Sequence, residues 1–98
     1  MQTTQGPWAE AGQNLQSLRL QCEITEAELA EQAGAPSRQW VLDIENGRRA
    51  VPSSMYRTLA GIYGLPVRDF ATLCLRFYDR KAYDALFGNQ SDLVAVAA

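Results

Sequence analysis

Residues 25–49 read TEAELAEQAGAPSRQWVLDIENGRR, and side-chain chemistry alone places two helix starts and two helix stops within them. Thr25 is a favourable N-cap. Glu28, three residues later, can return a hydrogen bond to the Thr25 backbone and so complete a capping box. The helix that follows carries Ala27, Leu29, Ala30 and Ala33, and ends near Gly34, a residue that accepts left-handed backbone. Pro36 cannot continue it, and Ser37 can cap the next helix. That helix runs to about Asn46, with Gly47 as its stop. It buries Val41 and Ile44, with either Trp40 or Leu42 at its edge.

Working outward, Ala11, Leu15, Leu18 and Cys22 recur at helical spacing, which predicts a first helix over 8–22. Pro52 and Ser53 open a fourth helix with Met55, Tyr56, Leu59, Ala60 and Tyr63, closed by Gly64. Pro66 or Val67 begins a fifth, with Phe70, Leu73, Cys74 and Phe77 on one stripe. A short helix is expected over 82–87, before Gly88-Asn89. Runs of β-branched residues are few and period-2 alternation is almost absent, so the fold class is all-α: five compact helices with a short C-terminal helical extension. The expected divisions are a flexible arm at 1–7, a domain at 8–78 and an extension at 79–98. Within the extension, the terminal Leu93 to Ala98 reads as a disordered tail, an added strand or an apolar degradation tag.

Ninety-eight residues suit one domain, and 47% hydrophobic with 20% charged composition is ordinary for a folded one. The chain contains no histidine, which removes the commonest general base, the Ser-His and Cys-His nucleophile pairs and most catalytic zinc sites. Cys22 and Cys74 lack metal-knuckle spacing and sit among apolar residues, so free buried thiols are expected. No enzyme, cofactor or metal site is expected. Neither a secretory signal nor an apolar run of membrane-spanning length is visible, which makes the cytoplasm the default compartment.

The net charge of −2 and a pI near 5.0 argue mildly against nucleic acid, until the charge is resolved along the chain. Up to Pro36, Arg19 stands alone against Glu10, Glu23, Glu26, Glu28 and Glu31. From Ser37 to Arg57, the bases Arg38, Arg48, Arg49 and Arg57 outnumber Asp43 and Glu45. The remainder is balanced. Positive charge is therefore concentrated in the middle of the chain, over residues 37–57.

Two short helices joined by a tight turn, the second opening on Arg38-Gln39, form the pattern of a DNA-reading helix-turn-helix. From the first turn of such a helix, arginine can pair with guanine O6 and N7, and glutamine with adenine N6 and N7. Asp43, four residues after Gln39 on the same face, either accepts from cytosine N4 or orients Gln39 or Arg38. An exposed polar helix face is the alternative reading of all three.

The stretch LRLQCEITEAELAEQAGAPSRQWVLDIENGRRAVPSSMYRTLAGIYGL resembles the Cro/repressor-type helix-turn-helix family, also called the xenobiotic-response-element family. ELAEQAG matches its second helix, and SRQWVLDIENGRR its recognition helix and E-N-G stop. The likeness covers about residues 15 to 70. It implies base contacts from Arg38, Gln39 and Asp43, and backbone contacts from Ser37, Asn46, Arg48 and Arg49. It also implies a structural pair between Arg19 and Glu45. The implied protein is a bacterial or phage transcription regulator, a homodimeric repressor on a palindromic double-stranded DNA operator. With about four phosphates neutralised per subunit, the salt slope would be near −3.6.

Three features depart from the family pattern. The turn Gly34-Ala35-Pro36-Ser37 is one residue longer than usual. Glu26 occupies the place of a phosphate-binding glutamine, and a carboxylate there repels the backbone unless it faces away. Helices 1 and 2 are acidic. The C-terminal third holds the candidate dimer interface, Tyr78, Tyr83, Leu86 and Phe87; Phe70 is expected in the core, and Phe77 either closes the core or joins the interface. That surface serves equally for a protein partner, as in an antitoxin paired with its toxin. A protein-interaction module that has lost DNA is the remaining alternative, favoured by Glu26 and the acidic first half.

Overall fold

The computed structural model describes residues 6–88. The expected tail at 93–98 and residues 1–5 of the arm lie outside them. Six helices follow in order: α1 (Ala9–Gln21), α2 (Glu26–Ala33), α3 (Arg38–Glu45), α4 (Tyr56–Tyr63), α5 (Val67–Tyr78) and α6 (Arg80–Tyr83). A 3-10 turn, Ser53–Met55, precedes α4, and a π turn, Asp84–Gly88, continues α6. No strand occurs among the described residues.

The ends of α2 and α3 are fixed by the chemistry that announces them. Thr25 Oγ1 accepts from Glu28 N at 3.1 Å, and Glu28 Oε1 accepts from Thr25 N at 2.8 Å, which completes the capping box. Gly34 adopts φ 72, and Ala35 N donates back to Ala30 O at 2.9 Å. Ser37 Oγ accepts from Trp40 N at the start of α3. Gly47, at φ 78, lets Arg48 N reach Asp43 O at 2.8 Å and stops the helix. The sixth helix begins at Arg80, two residues before the expected start, because the Asp79 carboxylate accepts from Ala82 N at 3.1 Å.

The core gathers Leu15 from α1, Leu29, Ala30 and Ala33 from α2, and Trp40, Val41 and Ile44 from α3. Leu59 and Ala60 of α4, Phe70 and Cys74 of α5, and Val51 of the connecting loop complete it. Trp40 is buried, which makes it a packing residue and leaves Leu42 at the edge of α3. Phe70 has no exposed surface and is flanked by Tyr56, edge-on at 5.9 Å, and Tyr63 at 5.6 Å. The α1 stripe is less uniform than its spacing suggests. Ala11 and Leu15 are buried, Leu18 and Cys22 half-buried, and Arg19 is buried between them.

The chain is anchored from residue 6 onward. Gly6 N donates to Asn46 O at 2.9 Å, and Trp8 N donates to Gly47 O at 3.0 Å. Residues 6–8 therefore form a strap across the end of α3, where a freely moving arm up to residue 7 is expected from sequence. The close packing explains Gly12, whose missing side chain leaves room for the Glu45 carbonyl against the α1 backbone. Trp8 also meets Tyr78 edge-on at 5.6 Å, which joins the strap to the end of α5.

Candidate DNA interface

One face of α3 is committed to the core through Trp40, Val41 and Ile44, and a buried ion pair fixes its far end. Arg19 Nε donates to Glu45 Oε2 at 2.8 Å, and Nη2 donates to Oε1 at 3.1 Å. Both residues are buried, at 4% and 8% exposure, so the two-pronged geometry matters: it leaves neither charge uncompensated away from water. Arg19 Nη1 adds a bond to Ile24 O at 2.9 Å, and Glu26 Oε2 lies 3.5 Å from Nη2. The Glu45 hydrogen bond holds the guanidinium above its ordinary pKa although burial pulls the other way.

This cluster answers the question that Glu26 poses. Its carboxylate is turned toward Arg19 as a second counter-charge. A single side chain of α1 thus ties the start of α2 to the end of α3, and the two helices of the motif are held by Arg19 as well as by apolar packing.

The opposite face of α3 is polar. Arg38 and Gln39 are exposed in its first turn, beyond the Ser37 cap, and Arg38 forms no hydrogen bond or ion pair among the described residues. Gln39 Nε2 donates to Asp43 Oδ1 at 2.9 Å, and Arg48 Nη2 donates to the same oxygen at 3.0 Å. The Gln39 hydrogen bond, then that of Arg48, keeps the Asp43 carboxyl below the ordinary carboxylate range. Of the two roles open to Asp43, the structure shows an orienting contact with Gln39 and none with Arg38. Arg49 is exposed, Asn46 half-buried, and the Ser37 hydroxyl, while accepting from Trp40 N, keeps a proton to donate.

The candidate interface residues separate into two sets. Tyr78 is turned inward on Trp8 with its hydroxyl buried beside the Val51 backbone; burial raises its pKa. It packs against the core of the chain. Leu86 and Phe87 are exposed at 61% and 47%, unusual for residues of their size, and Phe87 stacks on Tyr83 at 5.2 Å. Phe77 is half-buried at the rim of a groove of about 340 Å³ lined by Pro7, Trp8, Glu10, Ala11, Arg76 and Arg80.

Sequence reasoning misses the strap at Gly6–Trp8, the inward turn of Glu26 and the bond from Arg48 to Asp43. The first is made by backbone groups, which carry no residue signature. The others depend on rotamers of long side chains.

Two short helices around a four-residue turn, the second displaying a polar face while its other face is locked to the core, define a helix-turn-helix module. The chain belongs to the helix-turn-helix domain family, which matches residues 10–73. No curated protein and no solved structure matches it. No helix among the described residues is long and apolar enough to cross a membrane, and no cluster there has the makings of a metal site.

Proposed function

We propose that this chain is a sequence-specific, double-stranded DNA-binding transcriptional regulator of the Cro/repressor type, which lays α3 in the major groove. The observation that carries this reading is the first turn of α3. It presents Arg38 and Gln39 to solvent on a helix whose other side is fixed by Trp40, Val41, Ile44 and the Arg19–Glu45 pair. Side chains so presented can reach base edges without movement of the backbone. Ser37, Asn46, Arg48 and Arg49 flank that turn and the loop beyond it, where phosphates would lie. The inward turn of Glu26 supports the reading, because it directs a repelling carboxylate at Arg19.

A single such unit reads only a few base pairs, so the working form is a homodimer on a palindromic operator, with half-sites about 34 Å apart. Tyr83, Leu86 and Phe87 are its candidate contact. Repression is the expected sign of regulation. The same exposed Leu86 and Phe87 favour a second reading, an antitoxin whose C-terminal third holds a protein partner. Co-purification of a stoichiometric partner separates the two.

The test is a footprint on the DNA flanking the protein's own coding sequence at two salt concentrations. Arg38→Ala relaxes specificity at one base pair by roughly 1–3 kcal/mol, whereas Arg49→Ala weakens binding to all sequences alike. Absence of protection on every operator-like sequence contradicts the reading.

A further inference from the structure

The polar face of α3 is already wired before any partner arrives. Gln39 Nε2 and Arg48 Nη2 converge on one oxygen of Asp43, at 2.9 and 3.0 Å. The Asp43 carboxyl titrates below the ordinary range, so it is ionised at neutral pH and acts only as an acceptor. An acceptor-only neighbour dictates the orientation of the Gln39 amide: its NH2 faces Asp43, and its carbonyl oxygen faces away. Gln39 and Asp43 are four residues apart, one helical turn, so the contact also restricts a side chain that is otherwise free to rotate in solvent.

We infer that Asp43 is a positioning residue which sets Gln39 to read adenine, and is not itself a base contact. The inference rests on α3 being the groove-facing helix, as proposed above. With one Nε2 hydrogen held by Asp43, the second is left for adenine N7, while Oε1 accepts from the adenine N6 amino group. Guanine presents acceptors at both N7 and O6, and its O6 would meet Oε1 oxygen to oxygen. Thymine offers the acceptor O4, which can take the free Nε2 hydrogen, but its C5 methyl gives Oε1 no donor, so it forms one bond where adenine forms two. The hydrogen bond to Asp43 therefore disfavours guanine and leaves thymine one bond short of adenine. Arg48 has a part in the same device. Its guanidinium offsets the one carboxylate that would otherwise stand on the DNA-facing side of α3.

The test is selection of bound sites from a randomised duplex pool with the full chain, followed by binding measurements at two salt concentrations. The wild type should enrich an adenine at one position of each half-site, and Gln39→Ala should erase that position alone. Asp43→Ala should lower discrimination at the same position about tenfold and leave the other base positions unchanged. Its affinity for unrelated duplex should hold or rise, since one negative charge leaves the DNA-facing side. Asp43→Asn, whose side-chain oxygen still accepts from Gln39, should retain most of the adenine preference. Asp43 lies on the solvent side of α3, and unchanged thermal melting verifies that each variant is folded. An enriched pool overturns the inference alone if Asp43→Ala relaxes a different base pair, leaves the adenine preference intact, or if Gln39→Ala erases no adenine. A wild-type pool with no enriched sequence removes the DNA reading and this inference with it.

Discussion

Replacing Glu45 with glutamine changes the shape of the α1–α3 junction very little and its electrostatics completely. Glu45 accepts two bonds from Arg19, at 2.8 and 3.1 Å. A glutamine carbonyl can accept one of them, and its NH2 group would face the other donor. Loss of one bond to a buried charge costs about 1.5–3 kcal/mol, and a buried cation left without its partner about 3–5 kcal/mol. Glu26, 3.5 Å from Arg19, and the Ile24 carbonyl remain as partial compensation, which places the expected loss near 3 kcal/mol. For a domain of this size that lowers the melting temperature by roughly 12–24 °C. Glu26→Gln alone, at a longer and partly exposed contact, should cost under about 1 kcal/mol. With Glu45→Gln already present, Glu26 is the last counter-charge, and its loss should cost at least about 1 kcal/mol more than it does alone. Urea titration followed by Trp8 and Trp40 fluorescence measures all three proteins. A cost below about 1 kcal/mol for Glu45→Gln, or strict additivity of the pair, refutes the triad as the clamp of the motif.

Gly47→Ala should cost at least about 2 kcal/mol, since residue 47 is at φ 78 and a Cβ there would overlap the Ala9 backbone. An unchanged urea midpoint would show that the strap yields easily. Glu23 is a non-glycine residue at φ 61 after the end of α1, so Glu23→Gly should stabilise by up to about 1 kcal/mol in thermal unfolding, and a lower melting temperature contradicts that. Burial pushes Cys74 from 9.0 up to about 12 and Tyr56 from 10.0 up to about 12, and it raises Tyr63 and Tyr78 as well. These groups stay neutral in the folded chain and ionise first in the unfolded one. Their contribution is complete below pH 9 and declines as pH rises toward 12. Urea midpoints should fall steadily over that window, and Cys74 should resist thiol reagents in the native protein at pH 8. A flat profile contradicts the assignment of these groups to the core.

Much of the fold is legible in the sequence because its helix ends are written in local chemistry. Thr25 with Glu28, Ser37, Gly34, Gly47 and Gly64 each act on backbone groups within a few residues, and each stands where its side chain or backbone freedom is needed. Asp79 belongs to the same class, yet the charged Arg80-Lys81 pair separates it from the apolar residues that begin at Ala82 and hides the cap. What is not legible depends on contacts between distant parts of the chain. Nothing in Gly6-Pro7-Trp8 announces pairing with Asn46 and Gly47, because those bonds are backbone to backbone. Tyr78 reads as a surface aromatic until Trp8 is placed beside it. The candidate site is intermediate in this respect. Arg38, Gln39 and Asp43 are marked by their spacing on α3, whereas the arrival of Arg48 at Asp43 from the loop depends on how the chain turns at Gly47.

Everything proposed for this chain depends on the exposed first turn of α3 reading DNA sequence. Its most direct measurement is the affinity of the full chain for a duplex selected from a random pool, set against a scrambled duplex of equal length in the same salt. A sequence-reading α3 gives a ratio of about 10³ or more, reduced by Arg38→Ala with no change in melting temperature. A ratio near one, with α3 intact and the protein folded, would contradict it.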